Sequence, residues 1–245
     1  MFAHEKLHVY QKALAFVSAA SVLSAAWNKK HAVVDQLDRA SESLILNLAD
    51  GARHRSAPNK LKALDYALGS GLECAACLDV ATLKGFLSKS NTDLQKQSLV
   101  EIIRMLIGLR KAWASWETHD DSALYRAETP TQDTTPLFHH EKLEVYGASL
   151  ELMTWLVNLP GGQKLSTRLY RQIDEGVTSI ILNIAEGNGR YSELDHRRFL
   201  DIADASAVKV AAYLDLGITK GTLSKEECSQ GKGLLERIIA MLSRM

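Results

Sequence analysis

The segment Phe2-Ala3-His4-Glu5-Lys6-Leu7-His8-Val9-Tyr10 returns 136 positions later as Phe138-His139-His140-Glu141-Lys142-Leu143-Glu144-Val145-Tyr146. The offset holds without a gap to the end of the 245 residues. Leu44-Ile45-Leu46-Asn47-Leu48-Ala49-Asp50-Gly51 meets Ile180-Ile181-Leu182-Asn183-Ile184-Ala185-Glu186-Gly187, and Ile102-Ile103-Arg104-Met105-Leu106 meets Ile238-Ile239-Ala240-Met241-Leu242. About a third of aligned positions are identical, so one structural unit has been written twice. Between the copies, residues 117–137 are rich in Thr, Asp and Pro and have no counterpart, which is linker composition. The expected organisation is a first copy over 1–116, a polar linker over 117–137 and a second copy over 138–245.

Each copy reads as four helices. In the second, Leu143, Tyr146, Leu150, Met153 and Val157 step by three and four, which lays an apolar stripe along one helix face. Leu165, Leu169, Ile173, Val177, Ile180 and Ile184 do the same in the next segment, where Gly187 reads as a C-cap glycine. Ser192 and Ser224 with their downstream acids resemble N-caps, Ser56 precedes a first-turn proline, and Lys220-Gly221 ends a third helix. Helices of this kind bury their stripes against each other, and nothing alternates with period two over a useful length. The predicted fold is all-α, two tandem antiparallel up-and-down four-helix bundles.

Composition enters where it excludes something. A hydrophobic fraction of 46% with 24% charged residues is that of a globular chain, and three cysteines provide no disulfide framework. The segment from Ala13 to Trp27 is apolar, but its counterpart sits in mid-chain, and it is too short and too rich in Ser and Ala to span a membrane. These features predict a cytoplasmic protein without membrane partners.

Motifs with chemical potential each meet a plainer explanation. Cys74-Ala75-Ala76-Cys77 has redox or metal spacing, yet its counterparts are Val210 and Tyr213 on an apolar stripe, so core packing is expected. Glu5-Lys6-Leu7-His8 has the spacing of di-iron bundles, but only one copy carries it and a metal site needs more ligands. Gly187-Asn188-Gly189-Arg190 lacks the strand and the Lys-Ser/Thr of a phosphate loop. No cofactor, metal or catalytic residue is expected. Asn47 and Asn183, beside the stripe of the second helix in each copy, are expected to make an interhelical hydrogen bond; ligand contact is the alternative. Gly51, Glu186 and Gly187 complete this structural motif.

Charge is balanced overall, 29 Lys and Arg against 29 Asp and Glu, but unevenly distributed: 15 against 10 in residues 1–116 and 1 against 5 in the linker. Basic residues gather at the turn between the second and third helices: Arg53, His54, Arg55, Lys60 and Lys62 in one copy, Arg190, His196, Arg197 and Arg198 in the other. Such corners fit nucleic-acid phosphates or a solvated helix end.

The stretch Asn183-Ile184-Ala185-Glu186-Gly187-Asn188-Gly189-Arg190, followed by Ser192 and Arg198-Phe199-Leu200, resembles the small four-helix bundle proteins encoded in 23S rRNA intervening sequences. That group includes the accessory variability protein of diversity-generating retroelements. The family pattern continues with Gly-Ser and a Glu three residues after the Ser. The second copy keeps the Asn-Ile-Ala-Glu-Gly block but has Ala205, Ser206 and Lys209 at the later positions, whereas the first has Gly69, Ser70 and Glu73 there and Asp50-Gly51-Ala52-Arg53 in the earlier block. This complementary divergence predicts that the halves pack against each other, or against partners, with different faces. The resemblance implies a non-enzymatic oligomeric adaptor that binds RNA or DNA and a partner such as a reverse transcriptase. Self-association is expected, with an even number of bundles per particle. A protein-docking module without nucleic-acid binding is the alternative.

Overall fold

The computed structural model describes residues 2–114, 137–159 and 165–245, and the linker apart from Leu137 lies outside them. The described residues contain eight α-helices: α1 (His8–Ser24), α2 (Ala32–Arg53), α3 (Ala57–Leu83), α4 (Lys89–Ala114), α5 (Glu144–Val157), α6 (Thr167–Asn188), α7 (Glu193–Thr219) and α8 (Lys225–Leu242). In each copy consecutive helices pack together and the first closes on the fourth, giving two antiparallel up-and-down four-helix bundles.

Most stop and start signals act where the sequence places them, although Ser56, at the N-cap of α3 with Pro58 in the first turn, makes no side-chain cap bond. Gly85 and Gly221 take left-handed φ values of 73° and 66°, and the amides of Phe86 and Thr222 reach back to the carbonyls of Ala81 and Gly217, both at 2.9 Å. This left-handed closure satisfies the last carbonyls of α3 and α7 and needs a residue without Cβ. Ser192 and Ser224 cap α7 and α8, Ser224 in a full capping box with Glu227. Two expectations are corrected. Gly187 does not cap α6; the helix runs on to Asn188 and closes at Gly189. Gly187 is needed for approach instead, since a Cβ there would lie 3.0 Å from that of Phe199. Asn47 and Asn183 do not bridge helices: each donates within its own helix, to the carbonyl and hydroxyl of Ser43 or Ser179. Those serines carry the interhelical link, Ser43 to Ser70 at 2.7 Å and Ser179 to Ser206 at 2.9 Å.

The bundles share one contact, and it is not symmetric. Helix α3 lies against α6 and α5, and α2 touches α6, but α7 has no packing of that extent on the first bundle among the described residues. Two unlike faces therefore meet, the geometry called heterologous. Burial follows from it: α3 has sixteen buried residues and its equivalent α7 has seven, although each is 27 residues long. Cys74 and Cys77 belong to the buried set of α3, as packing residues.

A charged clamp holds one end of this contact. Lys84, at the C-cap of α3, is ion-paired with Asp174 of α6, and both side chains are almost wholly enclosed. Asp174 also accepts from the Ala32 amide at 3.3 Å and lies 3.5 Å from the His31 ring. Burial works to raise the Asp174 carboxyl, but its bond with His31 and the Lys84 charge outweigh it and hold the group ionised. Removing one partner of such a pair strands the other in a low-dielectric site. Asp174→Ala is expected to destabilise the protein by about 3–5 kcal/mol in chemical denaturation, whereas Lys84→Met with Asp174→Leu recovers most of the loss.

Candidate functional site

The residues at which the two copies diverge in complementary ways are the ones that meet. From α3 come Gly69 and Glu73; from the end of α6 come Glu186, Gly189 and Arg190. A Cβ on Gly69 would stand 2.9 Å from the Arg190 guanidinium carbon, and one on Gly189 would stand 2.7 Å from a Leu72 methyl and 3.3 Å from the Gly69 Cα. Both glycines are therefore conditions of the close helix approach. The Arg190 side chain is nearly buried, ion-paired with Glu186, donating to the Asp65 carbonyl at 3.2 Å and lying 4.7 Å and 4.6 Å from the rings of Tyr66 and Phe199. Beside it, Arg110 of α4 pairs with Asp65 at 2.7 Å and stacks on Tyr191 of the second bundle at 3.6 Å. An apolar crevice between Leu72, Ile103, Gly189 and Tyr191 has a volume of about 10 Å³, room for at most one water.

A second polar group crosses the same boundary. Lys96 of α4 donates to Asp79 of α3 at 2.5 Å and to Glu141 of the second copy at 2.6 Å, while the Tyr146 hydroxyl donates to Asp79 at 2.8 Å. Burial lowers the Lys96 ammonium's affinity for its proton, but the two carboxylates more than reverse this and keep it charged. His140 lies fully buried here, edge-on to Tyr146, with neither ring nitrogen hydrogen-bonded. Burial pushes its pKa down to about 3, helped by the charges of Lys96 and His139, so the ring is neutral. Asp79, His140 and Glu141 bring potential ligand atoms within 4.8 Å of one another, but the Lys96 ammonium already supplies the cation between the two carboxylates.

A sequence profile described as 23S rRNA-intervening sequence protein matches residues 5–108 and again 141–244. The chain belongs to this family. No curated protein and no solved structure matches the chain. Both family units are thus present in one polypeptide, and the motif blocks they retain face each other across the boundary between them.

The basic residues expected at the corners separate into two groups. Arg190 is interior, as described. Arg53 is exposed and paired with Asp50 at 2.6 Å, and Arg197 is exposed and paired with Glu193 at 2.8 Å. Arg55, Lys62 and Arg198 are exposed, and Lys60 lies 5.2 Å over the Trp113 ring. Lys62 and Arg190 reach the same ring, that of Tyr66, at 6.0 Å and 4.7 Å, so the second unit's corner lies beside the first turns of α3. Sequence reasoning missed the clamp residues Asp79, Lys84, Lys96, His140, Glu141, Tyr146 and Asp174. The available signal was that each is identical in both copies.

Glu73 faces Glu186 in this interface. Burial pushes its carboxyl up to about 8, the negative charge of Glu186 adds to the rise, and Arg39 and Arg190 oppose it. A folded value above the ordinary 4.5 means that the fold accommodates Glu73 best when protonated. Its penalty is absent below about pH 4.5 and grows as pH rises to about 8, above which it is complete. Glu73→Gln is accordingly expected to stabilise the protein by about 1–3 kcal/mol at about pH 9 and by little at about pH 4, read from denaturation midpoints.

Proposed function

We propose that this family member is a non-catalytic scaffold that engages nucleic acid, or an enzyme acting on it, through the basic end of the molecule. The observation that supports the reading is that Arg53, Arg55 and Lys62 at the corner of one unit and Arg197 and Arg198 at the corner of the other are exposed, with Lys62 and Arg190 of the two corners sharing the Tyr66 ring. Cations held on a rigid helical frame meet backbone phosphates without folding on contact, and each such contact releases condensed counterions. The description of the family, which refers to an intervening sequence of 23S rRNA, is consistent with an RNA context. An adaptor toward a reverse transcriptase remains the finer reading, resting on the resemblance of the Asn183 to Arg190 block to retroelement proteins. No described helix is long and apolar enough to cross a membrane.

Protein docking without nucleic acid is the second reading, favoured by apolar side chains on outer helix faces. Leu46 is 66% exposed, Val208 54% and Leu216 43%.

The experiment is affinity for a structured RNA and a DNA duplex at two salt concentrations. For about four phosphate contacts, binding falls roughly 100-fold between ~50 and ~200 mM salt. Replacing Arg53, Arg55, Lys60, Lys62, Arg197 and Arg198 by Ala removes most of that slope, while Arg190→Ala lowers stability and leaves the slope unchanged. No binding at low salt defeats the nucleic-acid reading.

A further inference from the structure

The boundary between the bundles encloses a set of donor atoms that its resident cation satisfies only in part. Asp79 of α3 and Glu141, on the short 3₁₀ turn His139–Lys142 that leads into α5, each direct one carboxylate oxygen at the Lys96 ammonium, at 2.5 and 2.6 Å. Their other oxygens are held from behind, Asp79 by the Tyr146 hydroxyl at 2.8 Å and Glu141 by the Phe138 amide at 3.2 Å. Two carboxylates thus share one ammonium, half the charge needed to balance them. His140 stands beside them. Its ring is fully buried, stacks on Phe138 and meets Tyr146 edge-on, and neither nitrogen has a hydrogen-bond partner. A ligand atom of that ring and one from each carboxylate lie within 4.8 Å of one another. We propose that Asp79, His140 and Glu141 bind a zinc-class divalent cation, which displaces the Lys96 ammonium and ties the second bundle to the first.

The donor set selects this class of cation. A buried polar nitrogen without a partner is uncommon, because its lost hydration goes uncompensated. Imidazole nitrogen and carboxylate oxygen are both zinc ligands, whereas calcium and magnesium take oxygen donors. One divalent ion would therefore balance both carboxylates and engage the imidazole at once. Donors around a tetrahedral zinc stand about 3.3 Å apart, given bonds of about 2.0 Å. Separations of up to 4.8 Å then contract by at most about 1.5 Å, which small side-chain rotations supply once the ammonium no longer props the carboxylates apart. The Lys96 side chain keeps 8% of its surface exposed, so its long stem can carry the charge out to water. The Tyr146 hydroxyl and the Phe138 amide remain behind the two carboxylates and orient them as ligands.

The repeat supplies an internal comparison. The counterparts of Asp79, Lys96, His140 and Glu141 are the identical residues Asp215, Lys232, His4 and Glu5. Their local geometry is kept. Lys232 pairs with Asp215 at 2.6 Å, His4 stands edge-on to Tyr10 at 4.7 Å, and the Phe2 amide donates to Glu5 at 2.6 Å. Yet His4 and Glu5 belong to one bundle and Asp215 and Lys232 to the other, and among the described residues only Asp79, His140 and Glu141 gather as a ligand set. The site arises where unlike faces of the two units meet, so one metal per chain is expected.

Metal uptake and nucleic-acid affinity are read separately, so neither proposal depends on the other. The test is calorimetric titration of the metal-free intact chain with zinc chloride, with cobalt(II) absorption to report coordination geometry. The wild type is expected to take up one zinc per 27.0 kDa chain and to melt at a higher temperature with zinc than without. Glu141→Gln and His140→Phe each weaken binding roughly 10-fold or more, while His4→Phe leaves it unchanged. Lys96→Met, which removes the competing ammonium, binds zinc roughly 10-fold more tightly than the wild type. Circular dichroism checks that every variant is helical, and Glu141→Gln, which keeps the size of the side chain, carries the test if His140→Phe does not fold. A wild type that takes up no zinc at about 100 µM overturns the proposal, even if Lys96→Met binds it. So does an affinity that Glu141→Gln leaves unchanged, or one that His4→Phe abolishes.

Discussion

The close crossing of α3 and α6 at Gly69 and Gly189 governs how the two bundles can be arranged. A Cβ on Gly69 would displace the Arg190 guanidinium, and one on Gly189 would press on a Leu72 methyl and on the Gly69 backbone. Only at this separation does Arg190 reach the Asp65 carbonyl and the Tyr66 ring, and Arg110 stack on Tyr191. The charged clamps at Lys84 and Lys96 flank this contact. They orient the two faces as much as they hold them, since a buried ion pair gains little net energy but strongly penalises a register that breaks it. Apolar packing of α3, the most buried helix of the first bundle, supplies the driving force.

The same asymmetry explains how two copies of one unit came to differ. The Asn183 to Gly187 block of the second copy and the Gly69 and Glu73 positions of the first lie on different helices of the unit. Once two units are joined and packed head to tail, one face of each is committed to the internal contact and the other is not. Gly69 and Glu73 of the first unit and Glu186, Gly189 and Arg190 of the second lie inside the contact, where their counterparts in the other copy are different residues. The opposite blocks changed in size and charge, yet the clamp positions on those outer faces stayed identical. The unfavourable pairing of Glu73 with Glu186 belongs to the same account, because a covalently joined partner arrives at high effective concentration.

Much of the fold was legible in the repeat, the helical spacing and the capping residues. Gly221 closed its helix as expected, and its counterpart Gly85 does the same, because a left-handed residue after a helix has little alternative to glycine. The Ser192 and Ser224 caps formed because a hydroxyl beside free amides acts locally. Gly187 was misread for a related reason: a glycine near a helix end serves either backbone conformation or close approach, and only the position of Phe199 distinguishes them. Asn47 and Asn183 were placed correctly beside the core stripe, but their bonds run along the helix to serines, and the serines cross to the next helix. The basic corners were visible as composition, whereas the burial of Arg190 was not.

Sequence by itself determined the two units, their helices and turns, and their family, because these depend on local spacing and on a pattern repeated along the chain. Tertiary structure alone decided which face of each bundle is inside. Two identical clamp residues, such as Lys84 and Lys220, have the same local environment in sequence and opposite fates in space, one buried against Asp174 and the other exposed. Local physics cannot separate them, since the difference arises only when unlike faces of equivalent bundles meet once and leave their counterparts outside.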